Sequence, residues 1–178
     1  CGGAVKWKNN DRKISEPVFK NATYWSNKNH WDWAMKPNPR EKASFLSNNI
    51  SPIEESGQLK FIKRRSQLTK DIFQNMDIFF ADGHTESQMI PIINYNGQKI
   101  AFMADLLPSV GHIPLPYVMG YDTRPLKTLG EKSIFLELAL KNNYLLYLQH
   151  DSKNESCKLQ STEKGIRLKS THPLTDFI

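Results

Sequence analysis

Residues 88–104 carry the strongest local constraint in the chain. Two apolar runs, 88–95 and 98–104, are joined by Asn96-Gly97, a dipeptide suited to the two-residue turns whose twist matches antiparallel strands. A hairpin here commits the middle of the chain to a sheet. Further short apolar runs bounded by turn residues, 59–62, 76–81 and 144–149, read as more strands. Thr128 and Glu131 read as a capping box ahead of Ile134, Phe135, Leu138 and Ala139, an amphipathic helix running directly into the strand at Tyr144. The first third has a different texture. Gly2-Gly3 permits a sharp turn, and Ser26 is placed to cap a helix with Trp31, Ala34 and Met35 that Pro37 stops. Asn38-Pro39 with Glu41 starts a second helix, with Phe45 and Leu46 on its apolar face; Ser51-Pro52 with Glu54 starts a third that Gly57 ends. Residues 153–156 read as a polar surface turn. This pattern is α/β or α+β.

At 178 residues the chain is long enough for one ordinary domain, 1–178. Hydrophobic residues make up 39% and charged residues 24%, which supplies a core and excludes a disordered chain. The net charge of +6 comes from scattered basic residues, apart from the cluster Lys60, Lys63, Arg64 and Arg65. No basic stripe is interleaved with exposed aromatics, so nucleic acid is not an expected partner. Cys1 and Cys157 lie near opposite ends without zinc-knuckle or disulfide spacing, which fits a reducing compartment. No apolar stretch is long enough to span a bilayer. The expectation is a soluble, cytoplasmic protein without a membrane partner; a targeting segment upstream of Cys1 would lie outside this sequence.

Three residues able to bind metal close apolar runs. His84 follows the run 76–81, Asp105 ends the second strand of the hairpin, and His150 ends the run after the helix. Strands side by side in one sheet can bring such ends to one rim, where ligands often sit. Taken singly, each has an ordinary structural reading as a loop imidazole, a strand-end cap or a surface imidazole. The combination matters because it resembles the metallo-β-lactamase superfamily. Asp82-Gly83-His84-Thr85 is similar to that superfamily's Gly-His-Thr motif, Ala104-Asp105 to its strand ending in Gly-Asp, and residues 145–151 to its strand ending in the last metal-binding His. The resemblance covers most of the chain from Gly2 to about Asp151. Its His-x-His-x-Asp-His motif is absent; in the family that motif is commonly followed by one residue and Gly-Gly, and this chain opens Cys1-Gly2-Gly3. The expected fold is therefore the C-terminal part of an αββα sandwich. The N-terminal part would be supplied as a companion polypeptide.

The resemblance implies a hydrolase with two divalent ions, zinc above all. His84, Asp105 and His150 would be ligands, Asp105 would bridge the ions as the catalytic carboxylate, and hydroxide held between them would be the nucleophile. Its other ligands would come from the absent motif. The long loop 106–125 follows Asp105 and is placed to border the cleft, with His112 and Tyr117 as candidate substrate-side donors. An ester-type small molecule, a lactone first, is the expected substrate. The competing readings are a phosphodiesterase or nuclease of the same superfamily using the basic cluster at 60–65, and a metal-free binding or scaffold protein.

Overall fold

The computed structural model describes residues 2–9 and 14–177. Cys1, the residue on which the expectation of a companion polypeptide partly rests, lies outside the described residues. The chain divides into two compact units, Cys1–Lys63 and Arg64–Ile178.

In the first unit a 3-10 turn over Gly2–Ala4 leads into β1 (Val5–Trp7), which pairs antiparallel with β2 (Ser15–Pro17). β3 (Tyr24–Ser26) pairs in parallel with β4 (Leu59–Phe61), and α1 (Lys28–Met35) and α2 (Ser47–Glu55) lie between them in sequence. The expected strand at 59–62 thus exists but belongs to this small sheet. Val5, Trp31, Ala34, Ile50 and Ile53 form the unit's core.

Of three expected helix starts two are displaced and one gives no helix, each for a local reason. Asn27, one residue after Ser26, caps α1 by accepting from the His30 N–H at 2.9 Å. Asn38 makes the expected start bonds, its Oδ1 accepting from Arg40 N and Glu41 N, yet turns follow instead of a helix. There Glu41 Oε2 accepts from Trp33 Nε1 at 2.7 Å, so its carboxylate is taken by a partner in α1. α2 begins at Ser47, which places Pro52 inside it. Proline has no N–H for the Asn48 carbonyl four residues back; Ser15 Oγ donates to that oxygen instead, at 2.9 Å.

The second unit is a seven-stranded sheet in the order β11-β10-β9-β8-β7-β6-β5. Its strands are β5 (Leu68–Phe73), β6 (Met76–Ala81), β7 (Gln88–Tyr95), β8 (Gln98–Phe102), β9 (Leu145–Tyr147), β10 (Ser156–Thr162) and β11 (Gly165–His172). The β7–β8 hairpin forms as expected, with Tyr95 opposite Gln98 and both turn residues at positive φ. β8 and β9 are parallel, joined by the loop 103–124 and α3 (Pro125–Lys141). One sheet face packs on α3 through Phe79, Ala81, Ile90, Ile92, Ala101, Met103, Leu146, Leu148 and Phe135. Phe79 and Phe135 meet edge to face at 5.1 Å. Both are fully buried, and each such burial contributes about 1.5–3 kcal/mol. On the other face Ile93, Tyr95, Ile100, Phe102 and Tyr147 line, with Leu174, an apolar groove of about 270 Å³, and the Phe102 and Tyr147 rings stack.

Ser156 opens β10 instead of closing a surface turn. Cys157 beside it is a buried free thiol that burial pushes up to about 12. No helix among the described residues is long and apolar enough to cross a membrane.

Candidate metal centre

The topology alone brings three side chains to one edge. β6 and β8 flank β7 and both run antiparallel to it, and β9 is parallel to β8, so β6, β8 and β9 all end on the same side of the sheet. His84, Asp105 and His150 each lie three residues beyond the last residue of their strand, Ala81, Phe102 and Tyr147. Register sharpens the match, because Phe102 is paired with Tyr147. Asp105 and His150 therefore leave adjacent strands at equivalent positions.

Their side chains meet. His84 Nε2 lies 3.5 Å from Asp105 Oδ2, and His150 Nε2 lies 3.0 Å from Asp105 Oδ1. Asp105 thus turns one oxygen to each imidazole, and Gln88, the first residue of β7, donates from Nε2 toward Oδ2 at 3.5 Å. Ala104 delivers this carboxylate from a φ of +44°, a backbone conformation that favours glycine.

His84 is the most firmly held of the three. Its Nδ1 is 2.8 Å from Asp122 Oδ1, and the Asp122 side chain is only 1% exposed. A carboxylate accepts, so Nδ1 carries a proton and the ring is turned with Nε2 toward Asp105. The loop around His84 is gripped on every side. The Glu131 carboxylate accepts from the N–H of Asp82 (2.9 and 3.0 Å) and of Gly83 (2.9 Å). The Arg124 N–H donates to the Gly83 carbonyl, the Thr123 N–H to that of His84, and Arg124 Nε to that of Asp82. Asp82 itself is paired with Arg64 at 2.7 Å and Lys127 at 3.0 Å. Burial pushes the Asp82 carboxyl up, but these two cations outweigh it and hold the group below its ordinary value. Gly83 is required by close approach: a Cβ there would fall 2.3 Å from Thr128 N and Oγ1.

The expected capping box is thereby corrected. α3 is capped at Arg124 instead of Thr128 and starts at Pro125, and Glu131 is an interior residue bound to the His84 loop. Burial dominates in raising the Glu131 carboxyl, with the two N–H donors opposing. Sequence reasoning missed Asp122, Thr123, Arg124 and Glu131 as supports of the site. Pro125 was the available signal, since proline favours the first helical position and marks residues 122–124 as the approach to a helix.

The loop 106–125 begins at Asp105 and returns to His84 through Asp122, with Tyr121 edge-on to the His84 ring at 6.0 Å. In its middle His112 Nδ1 is 2.9 Å from Ser109 Oγ, and burial followed by the Lys132 charge holds this imidazole below its ordinary value. Tyr117 is 61% exposed. No hydrogen bond or ion pair between these two side chains and His84, Asp105 or His150 is seen among the described residues. Beyond His150, Asp151 Oδ2 accepts from Val110 N at 3.0 Å, which ties the end of β9 to this loop. Of the basic cluster, Arg64 is engaged with Asp82 and Lys60 Nζ lies over the Trp25 ring.

The geometry suits cations. His84 Nε2 faces a carboxylate oxygen at 3.5 Å, a pairing that a proton or a metal ion between them makes attractive. Two ligands of one tetrahedral zinc, each about 2.0–2.1 Å from the ion, stand about 3.3 Å apart, and the separations of 3.5 and 3.0 Å bracket that value. Among the described residues no three His, Cys, Asp or Glu side chains are arranged around a single point that would hold an ion. This follows from the arrangement: each Asp105 oxygen faces one imidazole, giving two donors per position.

No family model and no curated protein matches the sequence. Solved structures do match. A probable metal-dependent hydrolase from Staphylococcus aureus is 21% identical, with a TM-score of 0.72 over 89% of this chain and 56% of that one. A hydrolase of the β-lactamase superfamily is 18% identical, with a TM-score of 0.70 over 88% and 57%. A dizinc quorum-quenching lactonase, solved with its N-hexanoyl-homoserine product, is 20% identical, with a TM-score of 0.67 over 89% and 58%. The chain therefore spans less than two thirds of the length of each. At these identities the likeness establishes architecture alone: the chain has the metallo-β-lactamase fold, over part of the length of the proteins it matches.

Proposed function

We propose that His84, Asp105 and His150 form this chain's share of a dinuclear zinc centre in a hydrolase of ester-type small molecules, lactones first. The observation that carries the reading is the Asp105 carboxylate, which presents one oxygen to each of two imidazoles. His84 and His150 would hold one ion each and Asp105 both, its negative charge offsetting their repulsion. A divalent pair, when bound, polarises a substrate carbonyl and lowers the pKa of water toward neutrality.

The chain's own residues contribute orientation. Asp122 fixes the His84 tautomer, and Glu131 with residues 123–124 fixes its loop. If Ser109 donates its hydroxyl to His112 Nδ1, His112 Nε2–H is left as a neutral donor for a substrate oxygen. Tyr117, exposed on the same loop, is the second candidate. The remaining ligands would come from a segment bearing the His-x-His-x-Asp-His motif, and the apolar groove lined by Ile93, Tyr95, Phe102 and Tyr147 is the face that segment would cover. The dizinc lactonase among the similar structures supports a lactone as first substrate.

Metal analysis of the assembled protein after zinc-supplemented purification tests the reading, together with a panel of an N-acyl homoserine lactone, a phosphotriester, a phosphodiester and a thioester. Two zinc equivalents and lactone hydrolysis that Asp105→Asn abolishes are expected. Zinc-free protein inert on the whole panel would leave a scaffold, and preference for the phosphodiester would make the enzyme a nuclease-type hydrolase.

A further inference from the structure

Among the described residues Lys132 is the one fully buried lysine, 1% exposed in the middle of α3. Its Nζ donates to three main-chain carbonyls, those of His112 at 2.8 Å, Pro114 at 3.1 Å and Tyr117 at 2.7 Å. All three lie in the centre of the loop that starts at Asp105 and ends against His84. Carbonyls of a loop ordinarily turn to water; here three from one short stretch converge on a single ammonium, which uses all its protons on them. A methylene stem would have filled the same volume without the cost of burying a charge. Neighbouring Glu131 performs the complementary task, accepting from the main chain of the His84 loop. One turn of α3 thus holds both loops that border the site, one through its N–H groups and one through its C=O groups.

We propose that Lys132 is a positioning residue for substrate: by gathering the carbonyls of His112, Pro114 and Tyr117 it shapes the loop that walls the substrate side and aims His112 and Tyr117 into the cleft. This rests on the hydrolase reading for its consequence in turnover, but the loop geometry can be tested without it.

The test compares the assembled holoenzyme with Lys132→Met, which keeps the apolar stem, and Lys132→Ala, which leaves room for propylammonium. In K132M, backbone amide exchange across residues 112–121 should accelerate at least tenfold, while residues 82–88 keep their protection and bound zinc is unchanged. KM for the lactone should rise at least tenfold with kcat within threefold. Millimolar propylammonium should restore protection and KM in K132A and have no effect on K132M. Unchanged exchange in 112–121 overturns the proposal, and so does equal acceleration in both loops, which would make Lys132 a general support of the fold. If no substrate in the panel is hydrolysed, the exchange and rescue arms still decide the role of Lys132, so the two failures are distinguishable. Should K132A not fold, K132M alone decides by the loop contrast.

Discussion

Asp122 reaches back 38 residues to His84 and is almost wholly buried there, which makes it the most economical probe of the centre. A carboxylate behind a ligating imidazole fixes its ring and raises its basicity, and removing such a partner typically weakens metal affinity 10–100-fold. Asp122→Asn preserves shape and removes charge, so zinc affinity in the assembled protein should fall by roughly tenfold or more while circular dichroism is unchanged. Competition against a chromophoric chelator measures this, and an unaltered affinity would detach Asp122 from the centre. At this scale the sequence was informative where residues sit in motifs. His84, Asp105 and His150 could be named because each ends an apolar run, and they do meet. Their supports were illegible for a physical reason: Glu131 has the spacing of a capping residue, and only tertiary placement gives its carboxylate the Asp82 and Gly83 N–H groups as partners instead.

Among the elements, β6 and β7 have the bounds their apolar runs predict. β5, β10 and β11 were hidden. β5 buries only Thr69 fully and carries Asp71 at positive φ, while β11 offers only Ile166 and Leu168, both half-buried, beside Arg167 and Lys169. Both are outermost strands of the sheet, where charge and irregularity guard against unwanted pairing and erase the apolar signal. β10 pairs with β11 through a register shift, which further blurs alternation. The contact between α3 and the His84 loop leaves no room for a side chain at Gly83. Gly83→Ala would drive a Cβ into the Thr128 backbone, and overpacking of this kind costs about 1–3 kcal/mol. Urea denaturation should show that loss together with weakened zinc binding, since the helix start and the His84 loop must separate. Full retention of both would mean that the helix yields freely.

For the molecule as a whole, Lys132 makes stability depend on alkaline pH. Desolvation lowers its ammonium from 10.5 to about 8, with Asp122 opposing. The folded state therefore gives up this proton more readily than the unfolded chain. Between about pH 8 and 10.5 the unfolded state binds more protons, so this group's contribution to stability rises with pH; it is complete above the unfolded value and lost as pH falls through 8. Wild-type unfolding free energy, measured relative to Lys132→Met, should be greater at pH 9.5 than at pH 7. Parallel pH dependences would show that the buried ammonium carries no such penalty. A charge kept at a cost to stability is common where geometry serves function.

The division of the Asp105 carboxylate between two imidazoles has a thermodynamic corollary. A position offered only two donors by one polypeptide is a poor zinc site, because closed sites use four and open catalytic ones at least three. Where the other donors come from a second segment, loading and docking become a single linked equilibrium: by whatever factor zinc tightens the docking, docking tightens the hold on zinc. Chelation would then loosen that docking.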